Sequence, residues 1–428
     1  MKPRSNFLVP DSLAFALNAA AEAIAAVIGG RTPEPNFARV PAAVRPAVMD
    51  LALGTLRAFG RGDFILGRLM PKPTQDAHLR GLLLTALNRL ETRPQDAHTT
   101  VDQAVTVASE LPGGRYTGLT NAVLRNFLRR RDELLSAAEA DPVARYRHPA
   151  WWIEMLRADH PTGWEAALLA GNQHPPMALR VNRRRAELAT MQGELTAAGI
   201  ATRALGDEAL LLEKPLPVEK LPGFAAGRLS VQDAGAQRAA HLLDLADGQR
   251  VLDACAAPGG KTGHMLELAQ LDLLALEAEA TRARRVTENL ERLGLQSTVK
   301  VADCRDLDSW WDGRPFDRIL ADVPCSASGV ARRHADIKWL RRREDVAKFA
   351  KSQAQIMDAL WRALTPGGKM LYCTCSVFSL ENGRQVDAFV GRHADARRLP
   401  TGGDSLERQL LPDADHDGFY YALLEKAA

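Results

Sequence analysis

The sequence is poor in several features that would each have imposed a class. It has only five cysteines in 428 residues, at 255, 304, 325, 373 and 375, an odd set with no secretory leader ahead of it. A disulfide framework is therefore not expected, and reduced cytoplasmic thiols are. No window reaches 18 uncharged apolar residues, so no membrane-spanning helix and no membrane partner are expected. The most apolar stretch, Leu13–Ile28, is interrupted by Asn18 and Glu22 and followed by Gly29-Gly30. That reads as an amphipathic helix with its stop, not as a targeting segment. Internal repeats and low-complexity tracts are absent. No His/Cys pair has zinc-finger spacing, so no metal is expected. An excess of one charge is also missing: the net charge of +3 is too small to establish a nucleic-acid partner by itself.

What is present is length and pattern. The chain exceeds one ordinary domain, and its 46% apolar and 25% charged residues exclude wholesale disorder. Residues 1–140 read as all-helical. Apolar residues recur at helical spacing in Leu13–Ile28, Val44–Phe59, Leu79–Leu90, Thr100–Glu110 and Gly118–Leu135. This region holds 17 Lys+Arg against 13 Asp+Glu. Residues 141–235 read as a connector, Asp141–Pro149, followed by a small α+β unit. Met177–Val181, Ala209–Leu212 and Arg228–Val231 look like strands there, and Arg185–Ala198 like a helix. From 236 to 428 strands at Val251–Ala254, Leu273–Glu277, Val299–Ala302, Ile319–Ala321 and Met370–Cys373 alternate with helical stretches. That alternation predicts an α/β domain of Rossmann type, a parallel sheet covered on both faces.

The first of these strands runs into Asp253-Ala254-Cys255-Ala256-Ala257-Pro258-Gly259-Gly260-Lys261-Thr262. A glycine turn between strand and helix lets backbone N–H groups approach a ligand. It is neither a phosphate loop, since Cys255 stands where the first glycine belongs, nor a dinucleotide fingerprint. Acids then follow successive strands: Glu277, Asp303 and Asp322. Each taken alone is a solvated loop acid more often than a ligand. Together, on the sheet edge where open α/β folds bind, they fit ribose hydroxyls, an adenine amino group and a methionine-like amine. The cofactor expected is S-adenosylmethionine.

Cys325 follows the fourth strand in Pro324-Cys325-Ser326, and Cys375 ends the fifth in Thr374-Cys375-Ser376. Both are expected on the same edge, close in space, whereas Cys255, Cys304 and Cys373 read as buried structural thiols. Thiols beside a methyl donor suit pyrimidine chemistry. The C5 carbon of a pyrimidine is a poor nucleophile until a thiolate adds to C6; C5 can then attack a methyl group, a base removes the C5 proton, and the thiol leaves.

These strings, with Gly329, Arg332-Arg333-His334, Glu381-Asn382, Arg180-Val181-Asn182, Val231-Gln232-Asp233 and Gly418-Phe419-Tyr420-Tyr421, resemble the RsmB/NOL1/NOP2/Sun family of RNA 5-methylcytosine methyltransferases over nearly the whole chain. Gly118–Arg125 resembles the end of that family's NusB-like RNA-binding domain. The resemblance implies Cys375 as nucleophile and Cys325 as the thiol of the release step. It implies Cys255, Ala256, Ala257, Pro258, Gly259, Gly260, Lys261, Glu277, Asp303 and Asp322 as the cofactor site, with Asp322 also reaching the target cytosine. It implies small-subunit (16S) ribosomal RNA as substrate and a cytoplasmic enzyme, expected as a monomer. Two positions depart from the family: Glu277, usually Asp, and Gly263, commonly Thr. Three basic clusters are expected to face RNA: Arg125 with Arg129–Arg131; Arg180 with Arg183–Arg185; and Arg332, Arg333, Lys338 and Arg341–Arg343. Two rivals stay open from sequence: a DNA cytosine-C5 methyltransferase with a Pro-Cys nucleophile, and an RNA-binding assembly factor retaining a silent methyltransferase fold.

Overall fold

Ser12 starts the first helix, Leu13–Ile28, its hydroxyl accepting the Phe15 N–H at 3.1 Å. In the computed structural model, which describes residues 8–428, that helix and those that follow it in the helical part pack around a large leucine- and alanine-rich core, with a smaller apolar cluster on the other side of the first helix. Its partner Ala77–Thr92 is capped by Asp76 and approaches closely because position 81 is glycine. A Cβ there would lie 2.4 Å from the Ala21 carbonyl oxygen. The described chain divides into two compact units. The first runs to His174 and also takes in Ala331–Arg342; the second is Pro175–Val330 with Arg343–Ala428.

Within the first unit one expected helix is followed closely by a second, and another is itself two. The Val44–Phe59 run is helix Arg45–Arg57, followed at once by Phe59–Leu69. The Gly118–Leu135 run breaks at Arg130 into Thr117–Arg129 and Arg131–Glu139. Helical structure continues beyond the expected region as Pro142–Tyr146, Ala150–Asp159 and Trp164–Ala170. Asp141–Pro149 read as a connector because of its prolines. Asp141 instead caps a short helix that has Pro142 in its first turn, where a missing N–H costs nothing. The segment 331–342 is held in this unit by Lys338. Its Nζ donates to the Arg57 and Arg147 carbonyls and to Asn172 Oδ1 at 3.1, 3.0 and 2.8 Å. The Trp339 indole donates to the Leu56 carbonyl.

The second unit carries two sheets. The small one, in the order β2-β3-β1-β4, is antiparallel: β1 (Met177–Val181), β2 (Thr202–Ala204), β3 (Ala209–Leu212) and β4 (Leu229–Val231), with helix Leu188–Ala197. The large one is built from β5 (Arg250–Asp253), β6 (Asp272–Glu277), β7 (Thr298–Val301), β8 (Phe316–Asp322), β9 (Leu364–Thr374), β10 (Ala396–Leu399), β11 (Arg408–Leu410) and β12 (Phe419–Lys426). Its order is β10-β12-β9-β8-β5-β6-β7, with β11 on β12. The five strands from β9 to β7 are parallel, as the alternation predicts. Strands β10, β11 and β12 add an antiparallel end, so the sheet is mixed. Among the described residues no helix is long and apolar enough to cross a membrane.

Candidate active site

Strand β5 has β6 on one side and β8 on the other, so the order of connection reverses beside it. Loops leaving the carboxyl ends of β5 and β8 diverge there and open a crevice. The Cys255–Lys261 loop is stapled to both neighbours: the Ala254 N–H donates to the Leu320 carbonyl at 3.0 Å and the Ala256 N–H to the Leu276 carbonyl at 2.8 Å. Gly259 has φ 96°, and a Cβ there would lie 3.1 Å from Val286 Cα. Only glycine is at ease with both demands. Helix Gly260–Leu268 follows, presenting its first N–H groups to the crevice end. Gly263, the departure from the family pattern, faces Leu293; a Cβ would approach its Cδ1 to 2.7 Å, so the larger residue would displace that leucine.

The acids differ in how far they are engaged. Glu277 is buried at the end of β6, and its Oε1 accepts the Glu279 N–H at 3.1 Å with Arg282 at 3.4 Å. Asp303 is half-exposed and held by the Arg305 guanidinium at 2.5 Å, whose hydrogen bond lowers its pKa. Asp322 lies 2.5 Å from Lys261 Nζ and contacts Cys373 Sγ at 3.4 Å. Burial works against the Lys261 charge, but Asp322 and the nearby thiols Cys373 and Cys375 outweigh it and raise its pKa. Asp253, not singled out from sequence, is buried beneath the loop. Its Oδ2 accepts the Thr262 hydroxyl at 2.7 Å, and its Oδ1 meets no hydrogen-bond donor. Burial pushes its pKa up to about 7.

Cys325 and Cys375 meet, Sγ to Sγ, at 3.4 Å. Cys325 is buried and Cys375 partly exposed; all five cysteines are free thiols. The hydrogen bond to Cys375 and burial push the Cys325 thiol well up, which keeps it protonated. Cys373 and Cys304 are buried, as expected, while Cys255 is partly exposed.

What sets the thiol pair is a carboxylate shortly after Cys375 and far along the chain from Cys325. Glu381 Oε1 accepts the Ser326 N–H at 2.7 Å, and its Oε2 accepts the Ser326 and Ser376 hydroxyls, each at 2.6 Å. Ser326 and Ser376 are the residues immediately after the two cysteines. Gln353 adds donors to Glu381 and to the Pro324 carbonyl, and the Tyr372 hydroxyl donates to the Glu381 carbonyl at 2.6 Å. Gly329 closes the arrangement: its N–H donates to the Cys375 carbonyl at 2.8 Å, and a Cβ on it would strike the Gly418 carbonyl oxygen at 2.3 Å. Glu381 was visible in sequence only as part of a motif; its clamp joins residues 55 positions apart.

Two of the expected RNA-facing clusters are partly internal. Arg180 is wholly buried, with Nε and Nη2 on Glu267 at 3.0 and 2.8 Å and Nη1 on the Gly260 carbonyl at 2.9 Å, bracing the glycine-loop helix. Arg332 and Lys338 are buried too, Lys338 on the oxygens named above. Arg125 and Arg129 remain on the surface.

Comparison with known proteins matches three stretches of the chain. The family described as 16S rRNA methyltransferase RsmB/F matches residues 240–425, the RsmF/B-like ferredoxin-like domain 148–219, and the NusB family 14–129. The chain is 44% identical over 432 residues to Ribosomal RNA small subunit methyltransferase B of Pseudomonas syringae pv. tomato, covering 96% of each. It is 44% identical over 385 residues to the protein of that name in Vibrio cholerae serotype O1, covering 89% of each. A crystal structure named PH0851 superposes with TM-score 0.79 at 23% identity, over 97% of this chain and 99% of that one. NSun6 from Pyrococcus horikoshii with SFG gives TM-score 0.58 at 19% identity, over 65% and 98%. These two structures share the fold. The helical part is thus NusB-like, the small sheet ferredoxin-like, and the large sheet that of a methyltransferase.

Proposed function

Because the chain belongs to the RsmB/F family of 16S rRNA methyltransferases, we propose that it moves a methyl group from S-adenosylmethionine to C5 of a cytosine in small-subunit ribosomal RNA, in the cytoplasm. The observation that carries the reading is the Cys325–Cys375 contact of 3.4 Å beside the Lys261–Asp322 pair. On this reading residues 1–140 and 141–235 bind RNA and 236–428 carry the chemistry.

The residues fit the cofactor. At Gly259 the loop packs against Val286 too closely for a side chain, which holds its backbone in the tight turn a nucleoside can approach. Lys261 is committed to Asp322, so the loop is not organised around a phosphate chain. Cys255, Ala256, Ala257, Pro258, Gly259, Gly260 and Lys261 would hold it through backbone and stem, Glu277 through ribose hydroxyls, Asp303 through adenine, and Asp322 through the amine. S-adenosylmethionine, when bound, supplies an electrophilic methyl group.

Cys375 is the nucleophile: its sulfur bonds to C6 of cytosine and C5 becomes nucleophilic. Cys325, kept protonated, serves the later step as an acid. A solvent base takes the C5 proton, the C5–H electron pair closes the C5–C6 double bond, the C6–S pair returns to Cys375, and the Cys325 thiol proton meets the departing thiolate. Asp322 lies close enough to Lys261 and Cys373 to be oriented by both, and from there hydrogen-bonds the base. Glu381 positions both thiols by fixing the serines behind them. Bisulfite sequencing of ribosomal RNA from cells with and without this protein tests the reading. One 16S cytosine should lose its protection when the protein is absent; an unchanged 16S pattern would contradict the substrate assignment.

A further inference from the structure

Away from the thiols, the second unit gathers a second constellation. Glu208 precedes β3, His241 lies on helix Arg238–Leu242 and His264 on helix Gly260–Leu268. Glu208 Oε1 stands 2.6 Å from His241 Nε2 and 2.8 Å from His264 Nε2. One ligand atom from each residue falls within 4.8 Å of the others. Glu208 and His264 are buried, while 47% of the His241 side chain is exposed.

A hydrogen-bonded triad would account for His241 but not for His264. His264 Nε2 stands against the Glu208 carboxylate at 2.8 Å without reaching hydrogen-bonding geometry, and its Nδ1 has no hydrogen-bond partner. A buried imidazole with one nitrogen unanswered and the other on a misaligned carboxylate is costly, which makes it the feature calling for a ligand. The local charge allows a cation: Arg180, whose field reaches His264, is itself paired with Glu267. His241 and Glu208 line a cavity of about 440 Å³, with Asp207, Asp413 and His416 also on its wall.

We propose that Glu208, His241 and His264 form a zinc-type divalent metal site whose open coordination position faces this cavity. Two imidazoles and one carboxylate are a donor set for zinc, which binds them at about 2.0–2.2 Å in tetrahedral geometry. Ligand atoms around such an ion stand roughly 3.3 Å apart. The two contacts to Glu208, at 2.6 and 2.8 Å, therefore need to open by about half an ångström, while the two imidazoles, whose nitrogens lie within 4.8 Å, close on the ion. The ion would tie the start of β3 in the small sheet to the helix that follows the glycine loop. It was invisible to spacing rules because the ligands come from three separate elements, Glu208 and His241 being 33 positions apart.

The test uses the full-length protein stripped with a chelator, then titrated with Co²⁺ and with Zn²⁺. One equivalent of Co²⁺ should bind with nitrogen/oxygen ligand-field absorption and no thiolate charge transfer, and Zn²⁺ should displace it. Zn²⁺ should raise the Tm. Both responses should persist in Cys325→Ser/Cys375→Ser. They should weaken at least about tenfold in affinity in His241→Ala, an exposed position that tolerates truncation, and likewise in Glu208→Gln. Equal affinity in wild type and both variants, loss of binding in the cysteine variant, or no binding at all would each overturn the site, the last leaving a hydrogen-bonded Glu–His cluster.

Discussion

Each unit sequesters a lysine, and the two are treated in opposite ways. Lys338 in the helical unit is wholly buried and is met by two backbone carbonyls and one side-chain amide oxygen, with no carboxylate. Burial, and then Arg57 and Arg147, push its pKa well down. Lys261 in the catalytic unit keeps 16% of its side chain exposed and faces Asp322, with its pKa raised. Neutral oxygens around a lysine make a fastener, whereas an acid beside one at a sheet's carboxyl edge makes a charged pair that a ligand can enter. Burial alone does not separate these roles; the partner does.

The comparison predicts opposite signatures for the same substitution. Lys261→Met leaves Asp322 unpaired inside the proposed pocket, and turnover should fall by at least about 100-fold, with weaker S-adenosylmethionine binding by calorimetry. Lys338→Met should instead cost about 1–3 kcal/mol in denaturant unfolding, because buried acceptors lose their donor. Cofactor affinity should be unchanged in it. If both variants lost cofactor affinity equally, the division of roles would fail.

A third prediction concerns Asp253, the buried acid of the catalytic unit. Burial raises its pKa on folding from the ordinary 3.8 to about 7. Its contribution to stability is therefore fully present below pH about 4 and lost as pH rises toward 7. Asp253→Asn retains an acceptor for the Thr262 hydroxyl and should gain on wild type by a few kcal/mol across that window. Parallel stability curves for the two proteins would show that Asp253 is not protonated on folding. The smallest effect is expected at the surface of the helical unit. Arg125→Ala and Arg129→Ala should each weaken ribosomal RNA binding modestly and flatten the log K against log [salt] slope by about 1. An unchanged slope would remove that face from the RNA contact.

The same contrast explains what could be read in advance. The strands ending in Asp253, Glu277 and Asp322 and the turn at Gly259 follow from local pattern, and the edge rule for open sheets then placed Cys325 and Cys375 together. Met177–Val181 and Ala209–Leu212 were readable for the same reason. The Glu381 clamp and the Glu208–His264 approach depend on pairings across many residues, which periodicity does not encode. Arg180, Arg332 and Lys338 were misplaced on an RNA-facing surface because composition reports charge but not its partner. The break at Arg130 and the helix begun by Pro142 are local, but their cues are ambiguous without the packing around them.

The central claim is that Cys375 attaches to the base and Cys325 serves release. Enzyme incubated with substrate RNA and S-adenosylmethionine, run on a denaturing gel with an RNase control, tests it most directly. Cys325→Ala should accumulate a covalent protein–RNA band, while Cys375→Ala and the double variant should show none, because release matters only after attachment. A shifted band in Cys375→Ala with none in Cys325→Ala would contradict the assignment and exchange the roles of the two thiols.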